Sequence, residues 1–163
     1  MKEKVSPAKR SQGLVELLRR SDIFRDYARA FRDTTGLPLG LRALDSLHLA
    51  MGDRKDQNPF CVLLAQSNQS CAACLSMRKK VEEQAGEKPK TLKCFAGLCE
   101  TVVPVRVGEN TIAFLQTGQV LQQQPRRGDF SRTAETLLKW GLEIDVKRLE
   151  EAYFQTRVLS RKQ

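Results

Sequence analysis

Five cysteines in 163 residues are the side chains best suited to chemistry in this chain. Four fall into two pairs: Cys71 and Cys74 enclose two alanines, and Cys94 and Cys99 enclose Phe95 to Leu98. Three readings of them compete. Two thiolate knuckles can make a tetrahedral zinc site, and C-x2-C-x19-C-x4-C lies near that template, with a second knuckle longer than usual. A dithiol at a helix start can serve redox chemistry once the helix terminus lowers its pKa. Here the strand that precedes such a motif in thioredoxin-like sites is missing, as is the neighbouring aromatic or proline. The third reading is packing, the default for small, soft thiols in a core or pocket wall. Cys71, Cys74, Cys94 and Cys99 are thus the candidate metal ligands, with zinc the metal they would take; no other cofactor is implied.

The one histidine, His48, lies in Leu47-His48-Leu49 beside an apolar segment. Histidines in that setting are mostly packed or hydrogen-bonded structural residues. Nucleophilic catalysis needs a base within reach of a nucleophile and a third group to orient it. No Gly-x-Ser-x-Gly elbow supplies the nucleophile, and no Gly-rich phosphate loop supplies a nucleotide site. The sequence reads as a binding module, not an enzyme.

The length suits one domain with a core and room for a modest pocket. A net charge of +9 could mark nucleic-acid binding, but that footprint requires clustering. The excess is shared almost evenly between the first 56 residues and the rest, and runs such as Arg78-Lys79-Lys80 are short. Solvated helix and loop faces account for them. No apolar stretch is long enough for a bilayer, and Met1 to Ser11 lacks the apolar segment of a secretory signal. A cytoplasmic location and reduced thiols are expected.

The elements that must position the thiols read as follows. Leu14, Leu17, Leu18, Phe24, Ala28 and Phe31 keep helical spacing, so about 13–33 is helical, with Ser21 or Asp22 able to start a second helix inside it. Gly36 and Pro38 stop it. Pro38–Leu44 reads as a strand, Met51–Gln57 as a loop, and Asn58-Pro59 as the opening of a short helix near 59–66. Ser70 is the expected cap of a helix reaching Gln84, followed by a short strand at Thr91–Cys94. Thr101–Val107 and Thr111–Gln119 form a hairpin around Gly108-Glu109-Asn110, with Pro104 implying an edge or bulge. Helices near 130–140 and 146–156 follow, the second capped by Asp145, and Val158–Gln163 reads as the opening of another. Helices, then an antiparallel hairpin, then helices again make an α+β domain.

Cys74-Leu75-Ser76, Lys93-Cys94-Phe95-Ala96-Gly97-Leu98, Val103-Pro104-Val105 and Thr117-Gly118-Gln119-Val120-Leu121 occur in order. Together they resemble the PocR sensory domain over about residues 14–125. That resemblance implies a PAS-like central antiparallel sheet flanked by helices, enclosing a pocket for a small organic ligand. It also implies that occupancy is passed to an output module, here an AraC-type DNA-binding domain absent from this chain, so that DNA is a partner only through that module. The expected organisation is a flexible basic tail at 1–12, a sensory domain at 13–128, and C-terminal connector helices at 129–163. Candidate ligand-binding residues are Phe60, Leu64, Cys74, Cys94, Phe95, Gly97, Phe114 and Gln119. Phe95 stands where many relatives carry histidine, which weakens any transfer of a histidine role. The partners expected are a small organic molecule and, in assembly, a second copy, with no membrane. The alternative function is a zinc or redox sensor built on Cys71, Cys74, Cys94 and Cys99.

Overall fold

The computed structural model describes residues 7–44, 56–84 and 86–160. His48, most of the Met51–Gln57 loop, the start of the tail and Arg161–Gln163 lie outside the described residues. Among the described residues the fold is α+β, with six helices and a four-stranded antiparallel sheet ordered β1-β4-β3-β2. The elements are α1 (Pro7–Arg20), α2 (Asp22–Thr35), β1 (Leu39–Ala43), α3 (Pro59–Leu64), α4 (Asn68–Gln84), β2 (Lys90–Lys93), β3 (Cys99–Val107), β4 (Asn110–Val120), α5 (Arg127–Lys139) and α6 (Val146–Phe154).

Two compact units make up the chain. The first comprises Met1–Asp56, Glu82–Lys90 and Thr101–Thr117. In it α1 begins at Pro7, ahead of residue 13, where the apolar spacing starts. Ser21 separates the two N-terminal helices: its Oγ accepts from the Phe24 N–H at 3.2 Å, and its own N–H reaches the Leu18 carbonyl. Apolar periodicity runs through such a break unaltered, because a cap interrupts the backbone bonds and not the spacing. Gly36, at φ 69°, ends α2 in the left-handed region open to glycine.

β1 then pairs with β4 from Leu39↔Thr117 to Ala43↔Ala113. Leu41, Ala43 and Ala113 share one face and form a small core with Val15. On the other face Arg42 is buried, its Nε donating to Gln116 Oε1 at 3.1 Å and its Nη1 to Glu82, above the Phe114 ring.

The second unit comprises Gln57–Val81, Thr91–Glu100 and Gly118–Gln163. Its core is built on Phe60 and Leu64 of α3, Phe130 and Leu137 of α5, and Leu149 and Tyr153 of α6. α5 and α6, expected as a connector, are therefore half of this unit's core. Asn58 ties the unit together. Its Oδ1 caps α3 at the Phe60 N–H, its backbone N–H donates to Gln119 Oε1 at 2.9 Å, and its Nδ2 donates to the Gln119 carbonyl and to Thr156 Oγ1.

Two expectations fail locally. Ser70 does not cap α4; Ser67 does, its Oγ accepting from the Ser70 N–H at 3.4 Å, and Ser70 is carried into the interior. Val158 does not begin a helix either: it bridges Leu121 in parallel, fixed by the Leu121 N–H to the Arg157 carbonyl and the Leu159 N–H to the Leu121 carbonyl. A β-branched residue offered an open strand end extends along it.

Candidate functional site

Helix α4 places Ser70, Cys74 and Arg78 four residues apart, on one face. That face is turned inward: Ser70 is 1% exposed and Arg78 5%. Arg78 Nη2 meets Glu100 Oε1 of β3 at 3.3 Å, with both side chains buried. This is long for a charge-assisted hydrogen bond. Among the described residues Arg78 Nε and Nη1 have no acceptor, and Ser70 Oγ has no partner. A buried donor left unmet costs about 1–3 kcal/mol, so native interiors seldom keep three such atoms within one helix face.

Thiols surround this polar strip. Cys74 of α4 and Cys94 after β2 lie close enough to Cys61 of α3 to disfavour its ionisation, and Cys94 does the same to Cys74. Burial is the main cause in every case. It pushes Cys61 well above the ordinary thiol value, Cys74 up to about 11, and Cys94 upward against the backbone hydrogen bonds of Ala96 and Leu98, which pull the other way. At neutral pH these thiols are protonated, the reverse of an activated thiolate. Of the proposed zinc set, Cys71 donates weakly to the Ala65 carbonyl from α4, and Cys99 is buried on β3. Among the described residues no group of three or more histidine, cysteine or acidic side chains stands where it could hold a metal ion.

Cys94 also belongs to a surface groove of about 390 Å³, lined by the turn from Lys93 to Gly97, the segment Leu121–Pro125, the first turns of α5 and Tyr153. Gly97 makes the turn at φ 84°, and Tyr153 anchors it by donating its hydroxyl to the Ala96 carbonyl at 3.2 Å. Gly118 seats the end of β4 nearby in the chain's second unit: a Cβ there would meet the Cys99 carbonyl oxygen at 2.7 Å. The first unit has a groove of similar volume beside α2, but its arginines at 19, 20, 25, 29 and 32 already hold carboxylates.

The sequence-derived candidates are thus divided. Cys74 and Cys94 join the thiol cluster, and Cys94, Phe95 and Gly97 line the groove. Phe60 and Leu64 are solid core, and Phe95 packs edge-on against Trp140. Gln119 is engaged by Asn58 as a brace, with φ 59°. Phe114 lies in the first unit beneath Arg42. Cys61, Ser70, Arg78 and Glu100 were not anticipated. The signal was present in the four-residue spacing of Ser70, Cys74 and Arg78, masked by reading Ser70 as a cap and Arg78 as part of a solvated basic run.

A family model described as the sensory domain found in PocR matches residues 18–163. The match includes α5 and α6, in keeping with their place in the core of the second unit. No curated protein and no solved structure matches the chain. No described helix is long and apolar enough to cross a membrane.

Proposed function

We propose, given that this chain belongs to the family of sensory domains found in PocR, that it is the small-molecule-sensing part of a transcription regulator, with the interior strip of Ser70, Cys74 and Arg78 as its ligand site. The observation that carries this reading is Arg78: a buried guanidinium whose Nε and Nη1 are unmet among the described residues, on the helix face that also carries the unmet Ser70 hydroxyl. A guest bearing oxygen acceptors would satisfy them, with the neutral thiols of Cys61, Cys74 and Cys94 as soft walls. Such a site, mostly apolar with a few convergent polar groups, is the usual design for small ligands.

Signal transfer follows from the packing. Tyr153 of α6 stacks edge-on against Phe60 of α3, ring centroids 5.2 Å apart, and holds the turn that carries Cys94. A guest that moves α3, α4 or that turn biases α6, and through it an AraC-type DNA-binding module outside these residues. A homodimer is the proposed assembly, supported by Leu17, Ile23 and Tyr27 of α1 and α2, all largely exposed; sedimentation of wild type against Ile23→Glu tests it. No catalytic step is assigned.

The test of sensing is a melting-temperature screen against small oxygen-bearing metabolites. A cognate ligand raises the wild-type Tm by mass action and leaves an Arg78→Met, Glu100→Gln variant unmoved. An equal rise in that variant would remove the interior site from the account.

A further inference from the structure

The groove outside Cys94 differs in chemistry from the interior strip. Its lining includes three cations, Lys93, Arg126 and Arg132, and one acid, Asp129. Asp129 is engaged within the chain: Oδ2 accepts from the Arg126 backbone N–H at 2.9 Å, and Oδ1 takes the Arg132 guanidinium. Among the described residues no carboxylate pairs with the side chains of Lys93 or Arg126. Elsewhere the arginines that line a groove, those beside α2, each hold a carboxylate. Here two cations from separate segments, the end of β2 and the start of α5, flank one concavity, and with Arg132 they outnumber its one carboxylate, Asp129. A cleft with an excess of one sign of charge concentrates counter-ions within it. Arg126 also brings the planar fork that suits carboxylate and phosphate oxygens. The tyrosine hydroxyl in the lining stays neutral, because burial raises its pKa, with Asp129 adding to the rise. It adds no opposing charge.

We infer that this groove is a second binding site, taking a small organic anion whose carboxylate or phosphate group is held by Lys93 and Arg126. The volume of about 390 Å³ lies within the range of small-molecule sites. The assignment is independent of the interior strip and stands or falls separately from it.

The experiment is an amide chemical-shift titration of the full chain with inorganic phosphate and, separately, acetate, each against sodium chloride at matched ionic strength. Saturable shifts confined to Lys93–Gly97 and Gln122–Thr133 are expected. Lys93→Gln and Arg126→Gln should each weaken binding by at least about fivefold, while Lys139→Gln and Lys147→Gln, exposed cations outside the groove, leave it unchanged. The stronger of the two probes names the acid group. Shifts that match those of chloride, that spread over all exposed cations, or that survive both groove variants would overturn the assignment.

Discussion

Replacing Arg78 and Glu100 together separates a structural ion pair from a ligand anchor that is costly when empty. Arg78→Met alone removes the cationic partner of the Glu100 carboxylate, which is 5% exposed. Removing one member of a buried pair costs about 3–5 kcal/mol. For a chain of this length 1 kcal/mol shifts Tm by about 2–4 °C, so the single variant should melt at least about 6 °C lower. Adding Glu100→Gln removes that buried charge while keeping an oxygen in place. The guanidinium and its unmet Nε and Nη1 donors, each costing about 1–3 kcal/mol when buried alone, are gone from both variants, so the two differ only in the Glu100 charge. Replacing a buried pair by uncharged side chains is often stabilising by about 1–4 kcal/mol. The double variant, without ligand, should therefore melt above wild type by at least a few degrees. Differential scanning calorimetry at pH 7 reads both. A double variant no more stable than the single one would show that Arg78 supports the fold itself, and its assignment as a ligand anchor would be wrong. The expected pattern is the exchange of stability for function seen where a site is strained when unoccupied.

Other consequences follow from the same geometry. Cys61, Cys74 and Cys94 have raised pKa values when folded, so the unfolded chain loses its thiol protons first. The stability they contribute is whole below pH 9, the ordinary thiol value, and declines as pH rises toward the value of about 11 for Cys74. Urea midpoints measured from pH 7 to 11 should stay level and then fall, less steeply in Cys74→Ser. Gly118→Ala should cost more than about 2 kcal/mol, because its Cβ meets backbone at 2.7 and 2.9 Å and its φ of 129° disfavours any side chain; chemical denaturation measures it. Asn58→Ala should cost about 2 kcal/mol, as the α3 cap and the bonds to Gln119 and Thr156 go together. Protein purified without chelator should contain well under one zinc per chain, with its melt unaltered by EDTA; stoichiometric zinc lost in Cys74→Ser would establish the thiolate reading instead.

Local structure was widely legible because its causes are local. Pro59 after Asn58, Gly36 before Pro38, Asp145 ahead of α6 and Gly108 in the β3–β4 hairpin each act through their own backbone conformation or a bond to a residue two or three away. The same locality explains the error at α4. Ser67 and Ser70 are both competent caps, and the choice between them depends on which serine the packed helix leaves at its end. Val158 likewise follows Leu121, a partner distant in sequence, and no propensity within residues 158–163 contains that pairing.

The chain by itself determined the α+β class, the order of helices and strands, the family pattern and the candidacy of Cys74, Cys94 and Gly97, since these depend on residue type, spacing and turn chemistry. Only the tertiary structure decided that Arg78 is an interior group, that Cys61 joins the other thiols, that Gln119 is held by Asn58, and that α5 and α6 are core. Burial and charge pairing are properties of what surrounds a side chain. A Lys/Arg run reads the same whether its arginine meets water or Glu100, and only the closing of α3, β3 and α4 around one interior tells them apart.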